Sequence, residues 1–342
     1  MDPYDPFTGR LAQNAGMCWS PMDALSDVLR VVRLRGGVFL HAEFSAPWCV
    51  SSQLGEEERR ALAKGAEHLV LYHYVVEGRL LAQVSNESPV AIDAGQVVIL
   101  PHNHIHLLGS TLDLPPVPTR QVMSVTPDGS FWTARHGGNG ERTRIVCGFL
   151  GCDRLDGNPL TETLPPLLRF DIRQGSAAAW MRSSLEFAAD EIAAHRAGSE
   201  TVLAKLSELL FIETLRRYVE DLPDEQTGWL AGLKDPYVSR ALSLLHSQIA
   251  DEWTLDSLGR EVGLSRSALT ERFVRLIGKP PMRYLARWRI QVAAHQLRNS
   301  DMPLARIGEQ VGYESEAAFN RAFKRSFGVP PATWRNNLHK RE

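Results

Sequence analysis

The chain has 342 residues, 44% hydrophobic and 23% charged, enough for two or three domains with separate cores. No apolar run approaches the roughly 20 residues of a membrane span. The first residues lack the basic-then-apolar order of a secretory signal. A cytoplasmic protein without membrane contact is therefore expected, and its 4 cysteines should be thiols rather than a disulfide framework. The net charge of −2 hides a division. From Asp235 onward 17 Lys and Arg face 11 Asp and Glu, a net of +6, while residues 1–234 hold 21 against 29, a net of −8. A basic final third suits nucleic acid, and an acidic remainder that repels phosphate implies a separate task. No Gly-rich phosphate loop, Ser-His-Asp order or paired-carboxylate arrangement is apparent.

Residues 1–16 contain Pro and Gly without periodicity and read as a mobile lead. Met22 to Gly36 carries apolar residues at helical spacing, and VFLHAEFSAPWCV reads as a strand stopped by Pro. Glu56 to Gly65 is a charged surface segment. LVLYHYVV and GRLLAQV are β-rich runs joined at Glu77-Gly78, SNESP is a turn, and AGQVVILP is a further strand. Such short, closely spaced strands predict a sandwich or small barrel. Pro115 to Gly140 is loop-rich, and RTRIVCGFLGCD reads as a last strand. Ser176 to Ala197 and Ser199 to Asp221 are long amphipathic helices, with Leu203, Leu206, Leu209, Leu210 and Ile212 as an apolar stripe in the second. They are placed to pack on the barrel or to pair between subunits. DLPDEQTGWLAGLKDP, from Asp221 to Pro236, reads as an interdomain linker, the part expected to move.

The last third contains one stretch twice. Leu255–Pro281 and Leu304–Pro331 align Leu255, Leu258, Val262, Gly263, Phe273, Gly278, Pro280 and Pro281 with Leu304, Ile307, Val311, Gly312, Phe323, Gly328, Pro330 and Pro331. Each copy is a short amphipathic helix, a Gly turn and a second helix ending at Gly-x-Pro-Pro. That is the helix-turn-helix pattern, whose second helix lies in the DNA major groove. Met282 to Arg298 joins the copies as a long helix. Two units about 34 Å apart can meet successive major grooves.

Leu255 to Trp334, including IGEQVGYESEAAFNRAFKRSFGVPPATWR, resembles the DNA-binding domain of the AraC/XylS regulators. Residues early in each second helix reach base edges in such motifs. Here these are Arg266, Ser267, Thr270 and Glu271, then Glu316, Ala317, Asn320 and Arg321, with Leu269, Phe273, Phe319 and Phe323 on the core side. Arg321 is the strongest candidate, since guanidinium meets guanine O6 and N7 with two bonds. Arg272, Arg275, Arg283, Lys324 and Arg325 are candidate phosphate contacts.

The β-rich segment resembles a cupin, and more closely the cupin-like sensing domain found ahead of some AraC-type domains. Gly95, Pro101 and His106 match the second cupin motif, with Asn103 in place of its inner Gly and Ser110 in place of its final Asn. The first motif's metal ligands are mostly missing. His68, His73, His102, His104 and His106 are therefore taken as candidate residues of an effector pocket and not as metal ligands. His102, His104 and His106 share one strand parity. Cys147 and Cys152 are candidate redox residues, although five positions along a strand put them on opposite faces unless Gly148 or Gly151 bends the chain.

These readings give an α+β protein: a cupin-like β-barrel with flanking helices, then an all-α domain with two helix-turn-helix motifs. The expected divisions are 1–170 for sensing, 171–221 for dimerisation, 222–236 for the linker and 237–342 for DNA binding, with the motifs at 255–277 and 304–327. The expected function is a non-enzymatic transcriptional regulator without a cofactor, governed by a small molecule or redox signal. Its expected partners are double-stranded promoter DNA, RNA polymerase, the effector and a second copy of the chain. The alternative is a metal-dependent cupin enzyme fused to a DNA-binding domain.

Overall fold

The computed structural model describes residues 23–32, 34–63, 66–85, 87–125, 132–152, 163–173, 178–194 and 196–339. The lead over residues 1–16 and Cys18 lie outside them. Helix α1 (Ala24–Val32) is capped by Asp23, whose carboxylate accepts from the Ser26 amide at 2.9 Å. The strand expected after it is two strands, β1 (Arg35–Ser45) and β2 (Cys49–Ser52), separated by a cis Ala46–Pro47 bond. The charged segment that follows forms α2 (Glu56–Leu62). Strands β3 (His68–Glu77), β4 (Arg79–Val84) and β6 (Gln96–Leu100) match the β-rich runs. Between and after them lie β5 (Val90–Asp93) and β7 (His106–Gly109). The loop-rich region contains β8 (Val117–Pro118), α3 (Thr119–Val122), β9 (Met123–Val125) and β10 (Trp132–Gly137). Then come β11 (Arg142–Cys152), β12 (Leu168–Asp171), α4 (Ala178–Ala194) and α5 (Ser199–Asp221).

The strands make two sheets, β12-β6-β3-β11-β1-β10-β9 and β5-β4-β7-β2-β8, which are not closed into a barrel. The chain turns at Gly78, whose φ of 81° suits a residue without Cβ, and β4 leaves the sheet of β3 to pair with β5 and β7. The hairpin read from the sequence is thus split between the layers, which gives the sandwich and not the barrel. Leu71, Val98 and Ile145 of the larger sheet meet Leu80, Ile92 and Leu108 of the smaller one in an inter-sheet core. Alternate residues Tyr72, Tyr74, Val146 and Leu150 face the other way and are covered by α4 and α5. A sheet buried on both faces explains why β3 and β11 read as near-continuous apolar runs. Helix α5 comes so close to β1 that a Cβ on Gly36 would lie 2.5 Å from the Ala204 carbonyl.

The remaining helices are α6 (Trp229–Lys234), α7 (Pro236–Ser247), α8 (Leu255–Val262), α9 (Arg266–Ile277), α10 (Pro281–Asn299), α11 (Leu304–Gln310), α12 (Glu316–Phe327) and α13 (Pro331–His339). The two repeats are two helix pairs, α8/α9 and α11/α12, and Phe273, Phe319 and Phe323 are fully buried beneath them. The segment read as a linker contains α6. Trp229 and Leu230 are buried there, Trp229 Nε1 donates to the Tyr284 hydroxyl at 2.9 Å, and Gly228 N donates to the Leu276 carbonyl at 2.7 Å. Its Pro and Gly signals mark the ends of a short helix docked on the helices that follow.

Helix α1 also crosses to the C-terminal helices. Its Val28 and Val32 are buried against α7 and α10, and His295 Nδ1 donates to the Val31 carbonyl at 3.0 Å. Asp27 stands 3.8 Å from His246 at the same junction. A single apolar cluster therefore runs from the outer face of the larger sheet through α1, α4 and α5 into the C-terminal helices. No described helix is long and apolar enough to cross a membrane.

Candidate DNA interface and the buried histidine pair

Each repeat is set by local chemistry before any packing. Thr254 and Ser257 form a reciprocal capping box at the start of α8, while Ser265 and Ser315 accept from Ala268 N and Ala318 N at the starts of α9 and α12. Gly263 closes α8 at φ 79°, and Gly312 makes the corresponding turn at φ 83°. The caps fix where α9 and α12 begin, and so which side chains stand at their exposed starts. Arg266, Ser267, Glu271, Glu316, Ala317 and Arg321 are exposed, and Thr270 and Asn320 are half-buried. The Thr270 hydroxyl already donates to the Arg266 carbonyl at 2.8 Å, and Arg266 lies 3.9 Å from Asp256. Leu269, Phe273, Phe319 and Phe323 face the core.

The candidate phosphate contacts divide. Arg275, Arg283, Lys324 and Arg325 are exposed. Arg272 is engaged within the fold: its Nε donates to Asp235 at 2.5 Å and its guanidinium lies 5.0 Å from the centre of the Tyr237 ring. The other Asp235 oxygen caps α7 through the Tyr237 and Val238 amides. Arg272 thus ties α9 to α7 within the fold. Between the ends of α9 and α12, along α10, lies a cleft of about 610 Å³ lined in part by Lys279, Arg283, Arg287 and Arg325. This cationic concavity at the ends of the two helices is a surface suited to a polyanion.

The five histidines do not gather around one pocket. His68 Nε2 donates to the Pro101 carbonyl at 2.6 Å, and His102 Nε2 to the Leu164 carbonyl at 3.0 Å. His104 is exposed, whereas His106 is buried. Their shared strand parity fails because Asn103 adopts φ 50° just before β7 and its amide is locked to the Leu54 backbone. Asn103 stands where the cupin motif has Gly, and it takes a glycine-like conformation.

The structure instead joins His73 and His106 to Cys147. His73 Nε2 lies 2.9 Å from His106 Nε2, His73 Nδ1 lies 2.9 Å from Cys147 Sγ, and His106 Nδ1 lies 3.0 Å from the His104 carbonyl. Burial pushes the Cys147 thiol up, holds His106 down to about 4, and holds His73 well below the ordinary imidazole range. Sequence reading missed this grouping, since His73 and Cys147 are 74 positions apart and meet only through the β3–β11 register. Among the described residues no group of three His, Cys, Asp or Glu is placed to hold a metal ion. Cys147 belongs to the inter-sheet core and Cys152 to the outer face, on one unbroken strand. Five residues of strand separate their Cα atoms by roughly 16 Å, far beyond disulfide reach, so neither glycine bends the chain to pair them.

Comparison with known proteins places these features in a class. A family model described as Cupin matches residues 23–220, and one described as Helix-turn-helix domain matches residues 258–337. The chain is similar to a putative AraC-like transcription regulator of Streptomyces lividans, with 31% identity over 320 residues, covering 92% of this chain and 99% of that protein. It is also similar to the HTH-type transcriptional regulator AlkR of Acinetobacter baylyi, at 26% identity over 92% of this chain and 99% of that one. Among solved structures, the C-terminal domain of AraT, a response regulator from Geobacillus stearothermophilus, is 28% identical over 30% of this chain and 86% of its own, with a TM-score of 0.30. The chain belongs to the AraC-like transcription regulators that join a cupin domain to a helix-turn-helix domain. It is a DNA-binding regulator of transcription.

Proposed function

We propose that the chain acts in the cytoplasm as a dimeric, signal-controlled promoter binder in which both helix pairs are helix-turn-helix motifs reading successive major grooves. The observation that carries this is the duplicated pair itself: two helices capped by Ser265 and Ser315, each with an exposed polar start, joined through α10. Arg321 reads a base edge, with Arg266, Ser267, Glu271, Glu316 and Ala317 beside the same surface, while Arg283, Lys324 and Arg325 meet phosphate. Trp180 and Phe187 on α4, and Val202 and Leu209 on α5, expose apolar surface at seven-residue intervals, which supports pairing of two copies through these helices. The DNA-bound dimer then presents itself to RNA polymerase.

Residues 23–220 hold the sensing function in this reading, governed by a small molecule or an oxidant. A signal alters transcription only if it favours one arrangement of the chain over another. The shared apolar cluster through α1 and α10 supports such coupling, since α10 sets the spacing of the two motifs. The test is fluorescence anisotropy of the full chain with DNA from its own promoter region at several salt concentrations. Affinity should fall steeply with salt as counterions return to the phosphates. Folded protein with no sequence-dependent, salt-sensitive binding would refute the reading.

A further inference from the structure

We propose that Cys147 is an oxidation site for a small, uncharged two-electron oxidant of the peroxide class, with His73 as its positioned base and His106 as the second link of a proton chain. As the signal of a promoter-binding regulator, this rests on the reading above; as chemistry at a thiol, it stands apart from it.

The geometry fixes every proton in the chain. A carbonyl only accepts, so His106 Nδ1, 3.0 Å from the His104 carbonyl, carries a hydrogen. The neutral ring then accepts at Nε2. His73 Nε2, 2.9 Å away, must donate to it, which leaves His73 Nδ1 bare. The Cys147 thiol, 2.9 Å from that nitrogen, therefore donates its hydrogen to His73. The three side chains are 1–2% exposed and sit within the apolar core between the two sheets. Low dielectric strengthens such a chain and makes an unpaired member costly. A sulfur in ordinary packing has no need of two aligned imidazoles.

The same burial keeps the resting thiol protonated, so no thiolate awaits bulky or charged reagents. Reaction needs a reagent small enough to enter and a base already in contact. The sulfur attacks one oxygen of hydrogen peroxide, forming the S–O bond as the O–O bond breaks. The thiol proton passes to His73 Nδ1, and the departing hydroxide takes one proton to leave as water. Sulfur is oxidised by two electrons to the sulfenic acid and the peroxide is reduced, with no further reactant required. During the transfer His73 can hand its Nε2 proton to His106, whose Nδ1–H goes on donating to the His104 carbonyl. The added oxygen then has to fit in the core between the two sheets, beside His73, which neighbours Cys147 across the β11–β3 ladder. The opposite face of β11, at Val146 and Leu150, lies in the core shared with α1 and α5. Cys152 lies on that opposite face, outside the inter-sheet core that holds His73 and Cys147.

The experiment exposes the full reduced chain to hydrogen peroxide, quenches it under denaturing conditions with dimedone, and maps adducts by peptide mass. Adduct should form first at Cys147, and ahead of Cys49 and Cys152. His73→Gln should slow it at least ~10-fold, because positioned acid–base groups contribute about 10²–10⁴ to such steps. His106→Gln, which leaves His73 on the thiol, should slow it less. Cys147→Ser keeps a donor for His73 and should fold, bind DNA and ignore peroxide. Cys147 left unmodified while another thiol reacts overturns the site, as do equal rates in wild type, His73→Gln and His106→Gln. If His73→Gln does not fold, the His106→Gln rate and the order of labelling still decide. Labelling at Cys147 with unchanged promoter affinity overturns its role as a signal. Reduced protein that never binds the promoter refutes the regulator reading and leaves the thiol chemistry intact.

Discussion

Lowering the pH from 7 to 5 should destabilise the folded chain, and His106 allows the effect to be sized. Burial holds its imidazole down to about 4, against roughly 6.5 in an unfolded chain. Between those values the unfolded chain binds the proton and the folded chain does not. Stability therefore rises with pH in this window and is lost as pH falls from 6.5 toward 4. At pH 5, about one and a half units below 6.5, the loss is about 2 kcal/mol at 1.36 kcal/mol per unit. The figure is insensitive to the folded value, since anything at or below about 4 leaves the ring neutral at pH 5. His73, held low by burial and then by His106 beside it, adds to the loss, as does His246, held down to about 3 by burial. Asp27, whose carboxyl burial raises, works the other way by keeping a proton in the folded state. Asp171, held low by Arg173, weakens only below the ordinary Asp range and does not enter. Urea unfolding followed by tryptophan fluorescence at pH 5, 6 and 7, at constant ionic strength, measures the slope. His106→Gln should be less stable at pH 7 yet lose about 2 kcal/mol less on acidification. Equal slopes in the two proteins, or a wild type no weaker at pH 5, would refute the assignment of His106 as a buried neutral ring.

Arg321→Ala should cost ~1–3 kcal/mol of specific binding and relax preference at one base pair, whereas Lys324→Ala should weaken all sequences alike. Selection from a randomised site reads both, and identical base preferences would make Arg321 a phosphate contact. Arg272→Ala should lower stability by ~1–3 kcal/mol by leaving Asp235 without its partner, while base preference stays the same. Unchanged unfolding with weaker DNA binding would return Arg272 to the DNA surface. Leu209→Asp should turn a dimer into a monomer in sedimentation, because Leu209 is 53% exposed on an apolar stripe of α5. A monomeric wild type, or a dimeric variant, would remove these helices as the pairing surface.

The C-terminal half was legible because its signals are local. Gly263, Gly278, Gly312 and Gly328 all take positive φ, and Ser265 and Ser315 cap the helices they precede. Leu269, Phe273, Phe319 and Phe323 fall on the buried side that periodicity assigns them. The sandwich was harder to read. β5 and β7 have four residues each, too few to show alternation, and their place in the second sheet depends on non-local pairing. The ion pair of Arg272, a candidate phosphate contact, could not be read from the sequence because its carboxylate, Asp235, lies 37 positions earlier. The linker reading took Gly228 and Asp235-Pro236 for flexibility, where they bound a helix anchored by Trp229. The histidine parity failed at one residue, Asn103, whose positive φ cannot be read from alternation.

The docking of α1 on α10 has a consequence for building hybrid regulators. Cutting at residues 222–236 follows the order of the sequence and separates α1 from the helix it braces. The excised C-terminal part would present the seat of Val28 and Val32 to water, and a foreign sensor would bring nothing shaped to fill it. The unit that can be exchanged is discontinuous: residues 24–32 travel with the DNA-reading helices, although some 200 positions of sensor intervene. A chimera that keeps this helix with its own α7 and α10 retains the native strut between the two helix pairs. One that crosses over only at the linker must either tolerate an uncovered apolar groove or evolve a new helix to close it.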